Sequence, residues 1–422
     1  MSMLSLPTRV ATVNESQIAR VEAAVVRFTE WLDQYGETSY DHQSFFASDL
    51  ARSAKSLYYK KPLLGTLAVS PMIFCEAFLP SARKLFWKPQ RFPIADAHYA
   101  MGFAFLSRAL GQQRYYERAV HFLEVLRETR SPGYKHYCWG YPFNWETRTE
   151  TKWQSTPFIT TIPYVYEAFR EVYLIDGDQK WREIMRSIAR HAVEDYSDVE
   201  TSLNASSCAY NPGPGDTSGV INASAYRAFL LTTAAADFSE ERYQKIAERN
   251  LNFVLQSQNA DGSWPYSTDE VRTFVDHFHT CFVLKALAKI EGITKNPECA
   301  KAIERGVDYY VRNLFDEVGL PKPFSRRPRM TVYRRELYDY AECINVGVLL
   351  AGRFPALDEI LSRVINLDGW QKSDGSFRSR QLLLGWDDTP MHRWAQSQMF
   401  RSLSFLLYRS AQDSELTSQE RN

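Results

Sequence analysis

The 422-residue sequence predicts an all-α fold, an (α/α)6 toroid in which helical hairpins make an incomplete or closed ring. Three observations carry this expectation. Long segments of 3.6-residue periodicity follow one another in pairs, with almost no alternating stretches that would mark strands. The first helix of each pair starts near Pro93, Pro157, Val220, Val275, Tyr338 and Pro390, so the unit recurs at intervals of 64, 63, 55, 63 and 52 residues. Short and long connections alternate, which puts every long connection at the same end of the ring.

Residues 16–35 (SQIARVEAAVVRFTEWLDQY) read as an amphipathic helix, the expected outer partner for the unpaired last inner helix, 390–408. An open solenoid would instead need polar capping repeats at both ends. Residues 62–80 (PLLGTLAVSPMIFCEAFLP) are the most apolar stretch, but Pro71 and Glu76 interrupt them, so they are expected to be buried or to cover the ring rather than to span a bilayer. In each later unit a short joint, such as Gly111-Gln112 or Asp176-Gly177-Asp178, links two antiparallel helices. Second helices such as 240–256 are amphipathic and form the outer wall. First helices such as 221–236 (INASAYRAFLLTTAAA) are nearly uncharged and form the inner wall. The whole of 1–422 is therefore expected to be one domain: 1–90 closing or covering the ring, 91–410 supplying hairpins, and 411–422 a disordered polar tail.

Lys+Arg and Asp+Glu both number 50, leaving no excess positive field for nucleic acid or anionic membrane surfaces. Hydrophobic residues at 45% supply ample core, and a mean hydropathy of -0.38 is that of a soluble protein. The start lacks a basic segment followed by an apolar one and a cleavage site, so a cytoplasmic location is expected. Six scattered cysteines without a CxxC pair suit reduced thiols. No phosphate-binding or dinucleotide-binding glycine motif is present, and no cofactor is expected.

Residues 253–264 (FVLQSQNADGSW), with a degenerate copy at 369–377 (GWQKSDGSF), resemble the Gln-Trp repeat of the squalene cyclase and prenyltransferase toroids. In that family these residues are structural. The Asp-x-Asp-Asp acid motif of squalene cyclases is missing, which argues against a terpene-cyclase-like or prenyl-processing reading. A closer resemblance is to bacterial toroid proteins of exopolysaccharide, capsule and O-antigen biosynthesis clusters, through 138–147 (CWGYPFNWET), 218–228 (SGVINASAYRA) and 259–287 (NADGSWPYSTDEVRTFVDHFHTCFVLKAL). This resemblance implies polysaccharide assembly or tailoring, with an acidic oligosaccharide or polysaccharide precursor as partner. It leaves the reaction open.

Polar residues gather at the N-terminal ends of the inner helices: Asp96 and His98; Thr160, Thr161 and Tyr164; Asn222 and Ser224; Asp276, His277 and His279; Tyr338, Tyr340 and Glu342; Asp388, His392 and Arg393. Six helix N-termini aimed into one mouth favour an anion, each by about 0.3–1 kcal/mol. The loop 131–156 adds His136, Trp145, Glu146 and Arg148, aromatic faces beside polar groups of the kind sugar rings stack on. The basic loop 322–335 is either a rim that collects an anionic glycan or a solvated charged loop.

Asp276 and His279 share a helix face, so the carboxylate either orients the imidazole as a base or merely caps the helix. His277 points elsewhere, and a metal on this His-x-His pair is not expected because i, i+2 side chains diverge. Glu342 with Asp388 would make the acid and base of a hydrolase. Alternatively, His279 or Tyr340 would abstract the proton α to a uronate carboxyl while Arg393 or Arg148 neutralises it, giving lyase or C5-epimerase chemistry. A non-catalytic glycan-binding scaffold would lack converging groups altogether.

Overall fold

The structure, a computed structural model, describes residues 13–148, 150–213, 219–328 and 330–420, the last six without side chains. The readings placed on the first twelve residues, on Ser218, on Arg329 and on the final two residues lie outside the described residues.

The helices follow the expected pairing. The first, α1 (Glu15–Tyr35), is opened by a capping box between Asn14 and Gln17. A short 3-10 turn, His42–Phe46, leads into a hairpin of α2 (Asp49–Lys60) and α3 (Pro62–Phe78), followed by the single turn α4 (Arg83–Phe86). Five hairpins then succeed one another: α5 (Pro93–Leu110) with α6 (Gln113–Glu128), α7 (Ile162–Asp176) with α8 (Gln179–Glu194), α9 (Ile221–Phe238) with α10 (Glu241–Gln256), α11 (His277–Thr294) with α12 (Pro297–Asn313), and α13 (Leu337–Leu349) with α14 (Pro355–Val364). The last inner helix opens with a π-helical turn, His392–Gln396, and continues as α15 (Ser397–Glu420).

The ring is closed. Each of α5, α7, α9, α11, α13 and α15 packs on the next, and α15 packs back on α5. The inner helices are buried almost throughout: every residue of α13 is, and α9 is from Ile221 to Ala234. The outer helices bury one stripe each, as Tyr243, Ala247, Leu251 and Val254 do on α10. Short joints work because the residue after the inner helix turns left-handed: Gly111 and Gly177, but also Ser239 and Lys295.

α1 is the sixth outer helix, and the two Gln-Trp-like turns show why. In the first, Gln258 Nε2 donates to Gly262 O (3.0 Å) and to Ala302 O (3.0 Å) on the next outer helix. In the second, Gln371 Nε2 donates to Gly375 O (3.0 Å) and to Ala24 O (2.8 Å) on α1. Both turn glycines have positive φ, and a Cβ on either would strike a carbonyl of that outer helix, Arg305 O at 2.3 Å or Arg27 O at 2.4 Å. The same joint that locks α10 to α12 thus locks the end of the chain to its beginning.

One boundary differs clearly from expectation: α5 starts at Pro93 as expected, but Pro157 pairs with Gly140 in a β-bridge and α7 starts only at Ile162. The described part of α15 runs to Glu420. The long connections carry short antiparallel strand pairs, within one connection as for Trp145–Glu146 with Thr151–Lys152, or between two as for Tyr333–Glu336 with Arg380–Leu382. None of the six cysteines forms a disulfide, and no helix among the described residues is long and apolar enough to cross a membrane.

Candidate active site

The N-terminal ends of all six inner helices converge on one small cavity of about 80 Å³. Its walls are Ile94 of α5, Thr160 and Tyr164 at α7, Asn222 and Tyr226 of α9, Phe278 and His279 of α11, Tyr338 of α13, and Arg393, Trp394 and Gln398 of the last helix. A larger cavity of about 870 Å³ lies between the loops and the α2–α3 hairpin, within the size range of small-molecule sites. Phe278 and His279 line both.

At this junction Asp276 performs both roles that the sequence set against each other. It is the N-cap of α11, its Oδ1 accepting the His279 N–H at 3.0 Å, while its Oδ2 accepts from His279 Nδ1 at 2.6 Å. The buried carboxylate therefore fixes the tautomer: Nδ1 carries the proton, and Nε2 is the basic nitrogen left to the cavity. Tyr266, Phe274, Phe278 and Phe282 surround the ring and hold its orientation.

Arg393 is aimed into the small cavity by a partner that sequence reasoning missed. Asp41, buried ahead of the 3-10 turn, takes Arg393 Nε at 2.8 Å and Nη2 at 2.6 Å in a bidentate pair. The guanidinium lies over the rings of Tyr141 and Trp394. Ser39 Oγ, from the same segment, accepts the His392 N–H at 2.8 Å. A contact of this kind spans some 350 residues of chain and leaves no local signal. Two amide oxygens, Asn222 Oδ1 and Gln398 Oε1, are buried against the same cavity and accept no hydrogen bond among the described residues.

Other candidates sit elsewhere. His277 is fully buried, with Nε2 against Tyr310 Oη (2.7 Å) and Nδ1 against Leu314 O (3.1 Å), and burial pushes its pKa down to about 3. His392 is similarly consumed by Tyr99 Oη and Gly36 O, its pKa lowered to about 4 by burial. Neither has a ring nitrogen left for a ligand. Tyr340 packs on Trp370, and burial raises its pKa. Asp388 is exposed and paired with Arg378 (2.8 Å), and neither Tyr340 nor Asp388 lines either cavity. His136 bonds Glu194 on the outer wall (2.9 Å). Trp145 packs on Phe158, and Glu146 accepts from Thr151 Oγ1 (2.6 Å); both are half-buried and line neither cavity. Arg148 lines the larger cavity with Arg272 and Arg380, whereas Arg326, Arg327, Arg334 and Arg335 of the basic loop do not. That loop contributes instead Phe324, Pro328 and the apolar or aromatic residues from Met330 to Tyr333.

Glu342 lies deeper, in a polar plug at the centre of the ring. Its Oε1 accepts from Arg401 (3.0 Å) and its Oε2 contacts Lys285 Nζ, which donates in turn to Tyr164 Oη (3.1 Å). Tyr226 bonds Tyr164, and His98 bonds Gln398 (2.7 Å), so every inner helix contributes at least one polar side chain. Burial lowers the Lys285 pKa to about 8 against the opposing pull of Glu342. Asp96 is held by Arg91 (3.0 and 3.2 Å), with burial raising its pKa to about 7. No group of three or more potential metal ligands occurs among the described residues.

A closed six-hairpin toroid with a histidine–carboxylate pair at the mouth is the class that fold and geometry define. No family model and no curated protein matches the chain in sequence. In structure it is similar to the cellobiose 2-epimerase of Spirochaeta thermophila (TM-score 0.59, 12% identity, covering 82% of this chain and 99% of that one). It is similar also to the cellobiose 2-epimerase of Bacillus thermoamylovorans (TM-score 0.58, 10% identity, 76% and 88%). A third likeness is to an inactive variant of a Salegentibacter α-1,6-mannanase in complex with α-1,6-mannotriose (TM-score 0.54, 11% identity, 75% and 90%). These likenesses establish the (α/α)6 toroid.

Proposed function

We propose that the chain is a carbohydrate-active enzyme of the epimerase or lyase type, in which His279 Nε2 removes a proton from a sugar carbon beside a carbonyl or carboxyl group. The observation that carries this is the Asp276–His279 pair at the junction of the two cavities. The carboxylate fixes the basic nitrogen and stabilises the imidazolium that proton abstraction creates. Arg393, and Arg148 or Arg272 from the larger cavity, would neutralise the charge that develops on the substrate oxygens. The phenols of Tyr210 and Tyr338, kept neutral by burial, are hydrogen-bond donors along the same wall.

The toroids of similar shape that act on cellobiose or mannan support a sugar substrate. The cluster resemblance of 138–147, 218–228 and 259–287 supports work on an acidic glycan or its lipid-linked precursor in polysaccharide biosynthesis. A hydrolase built on Glu342 and Asp388 is disfavoured, because one is locked in the plug and the other lies on the outside.

The test is incubation with acidic and neutral oligosaccharides in deuterium oxide, following carbon-bound deuterium, unsaturated uronate absorbance and new reducing ends. Wild-type protein is expected to exchange or eliminate, and His279→Gln to lose about 10²–10⁴-fold of that rate with an unchanged melting temperature. New reducing ends that persist in His279→Gln would overturn the reading.

A further inference from the structure

The α2–α3 hairpin is firmly attached on one side and bare on the other. Glu76 of α3 pairs with Arg380 (2.9 Å), which pairs in turn with Glu336 (2.8 Å), and in the following turn α4 the fully buried Arg83 pairs with Asp387 (2.8 Å). A small separate core of Phe45, Ala51, Val69 and Met72 fills its inner side. Gly65 lets the two helices meet, since a Cβ there would lie 2.0 Å from Tyr58 Cα. The hairpin is therefore a built part of the fold.

Its outer face is the most apolar surface of the protein. Of the twenty exposed large apolar residues among the described residues, ten fall between Leu50 and Leu85. Leu63, Leu67 and Leu85 are more than seven-tenths exposed, and Leu64, Phe74 and Leu79 more than half. A patch this dense marks an interaction surface. A further feature says what kind. The exposed charges flanking the patch are Lys60, Lys61, Lys84 and Lys88, while the acids of the segment are already paired, Glu76 with Arg380 and Asp49 with Arg52. The overall charge balance of zero conceals this local asymmetry.

We propose that this face seats the protein on an anionic lipid surface, with Leu63, Leu64, Leu67 and Phe74 entering the headgroup–acyl boundary and the four lysines on the headgroups. An apolar face with basic flanks, with no helix among the described residues long and apolar enough to cross a bilayer, is the pattern of a monotopic element. The larger cavity opens beneath the same hairpin, lined by its Tyr58, Tyr59, Pro62, Ile73 and Glu76, so docking brings that cavity to the lipid surface. The proposal is independent of the sugar chemistry and is tested without turnover.

The experiment is sedimentation of the full chain with vesicles of phosphatidylcholine alone or equimolar with phosphatidylglycerol, alongside light scattering without lipid. Wild-type protein is expected to pellet with the anionic vesicles. Combined Leu64→Ser, Leu67→Ser and Phe74→Ser should weaken partition at least about tenfold without lowering the melting temperature, since all three are exposed. Lys60→Gln, Lys61→Gln, Lys84→Gln and Lys88→Gln together should abolish the preference for phosphatidylglycerol. Wild-type protein that stays in solution with both vesicles overturns the proposal. So does lipid-independent dimerisation that the serine variant abolishes, which would make the face an interface between copies of the chain.

Discussion

The mouth of the ring and the plug at its centre are built from the same kinds of residue, six helices each contributing polar groups, yet they close differently. In the plug, Lys285, Glu342, Arg401 and Tyr164 contact one another, the one carboxylate bridging the two cations. At the mouth, His279 keeps a basic nitrogen, and Asn222 and Gln398 keep acceptor oxygens without a partner. Burying an unmet polar atom costs about 1–3 kcal/mol, so such atoms persist where something else gives a return. Arg401 Nε and His98 Nδ1 in the plug also lack a partner among the described residues, so neither polarity nor an unmet atom marks a site by itself; an unmet acceptor that lines a cavity does.

The largest stability effect separating the two regions is expected at Glu342. Removing it by Glu342→Ala leaves Lys285 and Arg401 as neighbouring buried cations, a change that typically costs about 3–5 kcal/mol. Chemical denaturation should show that loss, whereas His279→Gln should leave the denaturation midpoint in place while removing activity. A Glu342 variant of normal stability but no activity would dissolve the distinction.

Acid should act through the buried histidines next. The folded pKa of His277 is about 3, below the ordinary value of 6.5, so between those values the unfolded chain binds a proton that the folded chain does not. Stability contributed by the neutral ring is present above about pH 6.5 and is lost as pH falls toward 3. His392, at about 4, acts in the same direction. Melting temperature should fall steadily below pH 6.5, and His277→Gln should flatten that dependence while lowering stability at neutral pH. An acid limb unchanged by the substitution would place the sensitivity elsewhere.

Legibility in the sequence follows the range of the interactions. The inner and outer helices were readable because burial repeats every 3.6 residues, and α1 as the closing helix because the last inner helix had no partner after it. The Asp276–His279 pair was readable because three residues on a helix fix a shared face. His277, two residues from its neighbour, turns toward Tyr310 and Leu314, which only the packing of α12 decides. Glu342 was visible as a carboxylate at a helix start, but its neutralisation depends on Lys285 and Arg401 from two other helices. A lone lysine in the uncharged run 280–288 was the available signal for the plug. Asp41 had none, since the segment joining α1 to α2 carries no periodicity and meets Arg393 only when the ring closes.

The smallest effect sharpens the contrast most, because its sign differs between the two regions. Asn222 stands at the start of α9 with its carbonyl oxygen buried against the small cavity and unpaired. In the plug, truncating a side chain breaks contacts already made. At Asn222, truncation to alanine discards an acceptor that the fold does not use, and the space it leaves joins a cavity already present. Asn222→Ala should therefore shift stability by no more than about 1 kcal/mol, and upward if the desolvation penalty dominates. Ligand affinity should fall by about 1–3 kcal/mol, because a bound hydroxyl would lose its partner. Isothermal titration with an oligosaccharide that binds the wild type, beside a denaturation curve, reads both. A loss of several kcal/mol in stability with unchanged affinity would move Asn222 into the scaffold and leave the six convergent helix ends with one ligand-facing oxygen fewer.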